Sequence, residues 1–295
     1  MLHSLIMSDL SLSVLVDDEE NFSSDFLASE MCQNLDIKEI NSESKLDEFD
    51  VMIYLPNTDF YNPKVTDPAR IAEDISDELD KFRDTINDVI SRGFKGKIIL
   101  DAPHDEVFVY FAAYFSGFDV NNIMGLGTLP QEMILREKLV TEFKVSDEDI
   151  NVNTLGLSTN NLVAWSRVYI GPATLLSYIA SENNNFDSKL ITDVQEMISD
   201  PQIVTNLMIQ AKAIIKLLNY LSKSESLICS VVSLNKENDK FSLNLSPKLI
   251  NHNGIIQSIN LQLSDDETKE VDDDLKWATD IIENIKEGKA HGKKD

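Results

Sequence analysis

Between residues 49 and 126, short apolar runs alternate with long amphipathic ones, and this most constrains the fold. Phe49–Leu55 (FDVMIYL) is apolar on both faces, as a strand covered from both sides must be. From Ala69 to Arg92, apolar residues Ile71, Ile75, Leu79, Phe82, Ile86, Val89 and Ile90 recur at helical spacing, and Gly93 and Gly96 end the run. Lys97–Leu100 (KIIL) is the next strand, Ala102-Pro103 interrupts, Glu106–Phe115 is a helix, and Asn122–Leu126 is a further strand. Strands separated by whole helices cannot pair as hairpins. The alternation predicts a parallel, doubly wound α/β sheet. Upstream, Ser11–Val16 and Leu35–Ile40 add strand candidates, with a short helix from Phe22 to Met31.

After Leu126 the pattern changes. A helix over Pro130–Phe143 leads to strands near Val152–Leu155 and Val163–Ile170. Helices follow at Ser188–Ser199 and Pro201–Lys223. Ser226–Leu234, Phe241–Leu245, Lys248–Asn251 and Ile255–Leu261 read as an antiparallel set. A last helix spans Asp265–Lys286, opened by the capping box Ser264/Glu267. The expected division is a truncated doubly wound domain over residues 1–126 and an α+β domain over 127–295.

Acidic residues outnumber basic ones 51 to 26, a formal net charge of −25. Such a surface repels phosphate backbones and anionic lipid, which excludes broad binding to nucleic acid or membrane. Cys32 and Cys229 stand alone, without metal or redox spacing. The four histidines His3, His104, His252 and His291 are scattered, so no metal is expected. No secretory leader or membrane span is apparent, and the expectation is a cytoplasmic protein.

Three stretches carry a family resemblance. Ser116–Arg136 (SGFDVNNIMGLGTLPQEMILR), Thr154–Val168 (TLGLSTNNLVAWSRV) and Ile250–Leu263 (INHNGIIQSINLQL) resemble, in order and spacing, motifs of the L-lactate/malate dehydrogenase family. The resemblance spans roughly Val51–Ile285. It implies a Rossmann domain followed by an α+β substrate domain, reduction of 2-oxo acids with NADH, and dimers or tetramers.

The same motifs mark where this chain departs. The family's catalytic histidine falls at Ser158 or Thr159, and neither hydroxyl titrates near neutral pH. The aspartate that orients that histidine falls at Gln131. The arginine that clamps the substrate carboxylate falls at Ile134, which can form no bidentate ion pair. Arg136 matches the motif's second, structural arginine. An asparagine that touches substrate and cofactor falls at Ala102. His104, two residues on, is a stand-in base or else a surface or cap histidine. Arg70 lies 33 residues before Pro103, the spacing of the family's mobile-loop arginine.

The cofactor half departs further. The first glycine is Gly93, so no G-x-G-x-x-G follows an early strand. If Ser11–Val16 is the family's second strand, Asp17 or Asp18 takes the ribose-binding position and the first strand is absent. If it is the first strand, Asp17–Glu20 puts acid where a pyrophosphate would sit. The expectation is a pseudoenzyme with a binding or assembly role and no cofactor. It would act as a homodimer or beside an intact paralogue. The alternative is a divergent, active 2-hydroxy-acid dehydrogenase using NAD, with Arg70 and His104.

Overall fold

The alternation folds as the parallel sheet it predicts. The computed structural model describes residues 1–16, 23–32, 34–40, 44–180 and 189–291. Helix α1 (Leu2–Ile6) comes first, then β1 (Leu12–Val16), α2 (Ser23–Ser29) and β2 (Leu35–Glu39). β3 (Val51–Tyr54), α3 (Pro68–Ser91), β4 (Lys97–Leu100), α4 (Asp105–Ser116) and β5 (Ile123–Gly125) follow. Strands β3, β4 and β5 pair in parallel in that order. Successive side chains of a strand face opposite ways. Ile98, Leu100 and Ile123 accordingly join the core built with Leu79, Phe82 and Phe108 of α3 and α4. Ile99 and Met124 join a second core with Leu2 and Leu5 of α1. The sequence reading missed α1. It has five residues and no capping side-chain hydrogen bond, so packing rather than propensity makes it helical.

β1 and β2 form their own parallel pair, with Leu12 opposite Leu35 and Val16 opposite Glu39. Among the described residues no strand links this pair to β3 by hydrogen bonds.

The second half starts with α5 (Leu129–Phe143) and β6 (Ile150–Asn151). The hairpin β7 (Thr154–Leu157) and β8 (Asn160–Val163) follows, then β9 (Tyr169–Ile170) and β10 (Ala173–Thr174). Helices α6 (Leu175–Ile179), α7 (Lys189–Ile198), α8 (Gln202–Thr205) and α9 (Leu207–Leu221) come next. Strands β11 (Leu227–Cys229), β12 (Ser233–Glu237), β13 (Lys240–Asn244), β14 (Lys248–Asn251) and β15 (Gly254–Ser258) lead to α10 (Asp265–His291).

Three expected elements are divided. The strand expected over Val163–Ile170 is split by a 3-10 turn at Trp165–Arg167. The helix expected over Pro201–Lys223 breaks at Asn206, whose side chain accepts from the backbone N–H groups of Met208 and Ile209 and caps α9. The strand expected over Ser226–Leu234 becomes β11 and β12 in different sheets. Between them the chain turns against β5: Gly125 N–H donates to the Val232 carbonyl and Thr128 N–H to the Ser230 carbonyl. The capping box forms as expected, Ser264 N–H donating to Glu267 Oε2 at 2.8 Å and Glu267 N–H to Ser264 Oγ at 3.3 Å. Among the described residues, no helix is long and apolar enough to cross a membrane.

Candidate functional site

The β7–β8 hairpin points its tip, Ser158-Thr159, at the start of two helices. Gly156 turns the chain there with φ +88°. Thr154 Oγ1 bonds the Thr128 carbonyl at 3.0 Å and Thr128 Oγ1 at 2.9 Å, tying the hairpin to the start of α5. One turn into α5, Gln131 Nε2 donates to the Ser158 carbonyl at 3.0 Å, with both residues buried. The positions matching the family's orienting aspartate and catalytic histidine therefore do meet, as an amide and a main-chain carbonyl.

His104 closes the other side. It occupies the N-cap position of α4 in a left-handed conformation, φ +59°, and makes no capping bond. Its side chain is not at the surface: the residue is 5% exposed. Its Nδ1 lies 3.4 Å from Thr159 Oγ1 and 3.4 Å from Glu106 Oε1. Tyr61 and Trp277 flank the ring, centroid distances 5.7 and 5.6 Å. Trp277 Nε1 donates to the Thr66 carbonyl at 2.9 Å. The loop between β3 and α3 is thus held down over His104.

Carboxylates surround this tip. Asp105 is 1% exposed and Glu106 fully buried. Asp105 Oδ2 accepts from Gly127 N–H at 2.6 Å, and Asp274 Oδ1 from Asn160 Nδ2 at 2.6 Å. Burial, then the Glu106 charge, raises the Asp105 carboxyl well above the carboxylate range, against its bond from Gly127. Burial lifts Asp101, just past β4, to about 7, partly offset by the amino group of Met1. Burial lifts Asp274 to about 6, with the Glu106 charge adding to it and the Asn160 bond opposing it. Among the described residues, no group of three or more His, Cys, Asp or Glu is arranged to hold a metal ion.

The structure brings together His104, Gln131, Ser158 and Thr159 and leaves the other expected positions apart. Arg70 is exposed in the first turn of α3 and pairs with Glu73 and Asp74 at 3.2 and 3.3 Å. Ile134 packs against the apolar cluster of Leu135 and Leu139. Ala102 is core. Asp17 and Asp18 lie outside the described residues. Sequence reasoning missed Glu106, Asp274, Tyr61 and Trp277 as members of the site. One signal was available: Val107–Ala113 (VFVYFAA) is apolar on every side. A helix enclosed all round also buries the acids of its first turn.

No family model matches the chain. Curated relatives include an L-lactate dehydrogenase of Oceanobacillus iheyensis, 23% identical over 215 residues, 68% of this chain and 65% of that protein. An L-lactate dehydrogenase of Limosilactobacillus fermentum is 25% identical over 229 residues, 74% of this chain and 72% of that protein. The chain thus spans 65% of the length of the first of these relatives. Among solved structures, the ligand-bound minor L-lactate dehydrogenase of Enterococcus mundtii aligns with a TM-score of 0.78 at 13% identity, over 92% of this chain and 90% of that one. MGS-M5, a lactate dehydrogenase from a Medee basin deep-sea metagenome library, aligns with a TM-score of 0.79 at 14% identity, over 94% and 91%. These structures share the fold. Its sequence relatives are L-lactate dehydrogenases and, at low identity, support its membership of the lactate/malate dehydrogenase family.

Proposed function

We propose that this chain keeps the dehydrogenase fold without its hydride transfer and serves a binding or assembly role in a reducing cytoplasm. Its first 126 residues would form a truncated Rossmann-like domain and residues 127–295 the substrate-type domain. It would work as a homodimer or beside an intact paralogue. The observation that carries this reading is the Gln131–Ser158 contact. Where an acid/base pair would stand, an amide donates to a backbone carbonyl. Neither group exchanges a proton near neutral pH. Ile134 adds no cation for a carboxylate substrate, and Arg70 is paired to its own helix.

A nicotinamide dinucleotide does not fit the residues present. Its pyrophosphate needs a glycine turn and free backbone N–H groups after the first strand. This chain has no glycine before Gly93, and Asp17–Glu20 follows β1. A second reading, a divergent 2-hydroxy-acid oxidoreductase using NAD, is favoured by His104, which stands at the hairpin tip 3.4 Å from Glu106 as an acid/base group would.

Titrating the purified protein with NADH, followed by fluorescence, separates the two. The expected result is no saturable binding up to about 1 mM, the upper end of ordinary Michaelis constants, and no turnover of 2-oxo acids. Tighter binding, or turnover that disappears in His104→Gln, establishes the second reading.

A further inference from the structure

Among the described residues, six buried side-chain oxygens have no hydrogen-bond partner: Asp105 Oδ1, both oxygens of Glu106, Gln131 Oε1, Ser158 Oγ and Asn161 Oδ1. All six belong to the β7–β8 hairpin and the first turns of α4 and α5. Native interiors leave few such groups, because each unmet one gives up its hydration without a hydrogen bond in return. Six on one hairpin and two helix starts point to a missing partner rather than scattered imperfection.

The chemistry of the set defines that partner. Ionised carboxylates and amide oxygens only accept; Ser158 Oγ, and the Asp105 carboxyl when it holds a proton, can also donate. Ser158 Oγ lies beside the Asp105 carboxyl and, as a donor to it, opposes the rise that burial causes, which leaves its own lone pairs unmet. The charges that Asp105 feels are other carboxylates, Glu106 and Asp101. Asp274 likewise faces Glu106, Glu270 and Asp273. The nearby ring nitrogen, His104 Nδ1, stands 3.4 Å from both Thr159 Oγ1 and Glu106 Oε1. The Tyr61 and Trp277 rings beside His104 offer faces that attract cations. The acids do not converge as metal ligands do.

We propose that the hairpin tip binds a small primary ammonium compound, admitted beneath the loop that Tyr61 and Thr66 hold over His104. Three N–H donors would fan out to the Glu106, Asp105 and Ser158 oxygens, with the alkyl stem toward the two rings. A site of this kind inverts the charge preference of a 2-oxo acid site. The inference rests on the binding role proposed above and names its ligand class.

The test is thermal melting at pH 7.5 with methylammonium, ethanolamine or cadaverine, against tetramethylammonium and sodium at equal ionic strength. A ligand that binds only the folded state raises Tm with the logarithm of its concentration. The expected result is a rise with the primary amines and none with tetramethylammonium, which has the charge but no N–H. In Glu106→Gln, which keeps shape and removes a buried charge, the amine affinity should fall at least about tenfold. Three outcomes overturn the proposal. One is no response to amines, with Tm moving only with pH, so that protons alone satisfy the oxygens. Another is an equal response to tetramethylammonium, which marks surface charge binding. The third is an unchanged response in Glu106→Gln. NADH binding in the same preparation would sink the loss of hydride transfer without deciding the amine result.

Discussion

Gly156 fixes the hairpin at the point where space is scarcest. A Cβ there would lie 2.5 Å from the Asn160 carbonyl and 2.7 Å from Asp274 Oδ2, and φ is +88°. Gly156→Ala should therefore push the hairpin off α10. Strain and clash together cost about 3 kcal/mol, which lowers Tm by about 5 °C in a chain of this size. A melting curve unchanged within about 1 °C would show that the hairpin moves freely. The glycine was legible in the sequence, and so were the positions of Gln131 and Ile134, because the motif frames locate them. The burial of Glu106 was not. An Asp-Glu pair before a helix looks the same whether it caps in water or sits under Tyr61 and Trp277. What decides is a loop more than 40 residues upstream and a helix at the far end of the chain.

Helix α10 is held at its start by more than the capping box. Glu267 accepts from Ser166 N–H at 3.1 Å and Ser166 Oγ at 2.7 Å, besides its bond to Ser264. Against the burial that would raise it, bonds from Ser166 and Ser264 hold the Glu267 carboxyl below its usual value. Glu267→Ala removes these acceptors and should destabilise by about 2 kcal/mol in urea unfolding. Ser264→Ala should cost about 1 kcal/mol. Equal losses in the two variants would mean that the tie to Ser166 contributes nothing. The capping box was readable because it is local, four residues with a fixed donor pattern. The breaks at Asn206 and Ser230 were not, since apolar residues continue through both. Asn206 ends one helix by capping the next, and Ser230 bends toward Glu132, whose Oε2 accepts from its N–H and hydroxyl.

For the whole molecule the dominant quantity is its acidity. Asp101, Asp105, Asp274 and Glu132 are all raised in the folded state, in each case chiefly by burial. A carboxyl raised on folding binds its proton more tightly in the native chain than in the unfolded one. Its contribution is complete below about pH 4 and is lost as pH rises through the folded value. For Asp274 and Asp101 those values are about 6 and about 7. Glu267, lowered on folding, acts the opposite way and withdraws support in stronger acid. Melting measured from pH 5.5 to 8 should show Tm falling by several degrees as pH rises. A Tm flat or rising over that interval would mean that the buried acids are ionised and compensated throughout. The parallel sheet was legible from periodicity, whereas the gap between β1 and β3 was legible only as two competing alignments.

That gap gives the molecule a seam. Backbone hydrogen bonds carry cohesion within β1–β2 and within β3–β4–β5. Across the break the apolar side chains Leu2 and Leu5 meet Leu35, Ile37, Ile99 and Met124 in one core. Apolar contacts weaken on cooling while hydrogen-bonded ladders hold. The join between the first forty residues and the rest is therefore expected to loosen first on cooling, and hydrogen exchange followed at falling temperature should show β1–β2 losing protection before β3–β4–β5.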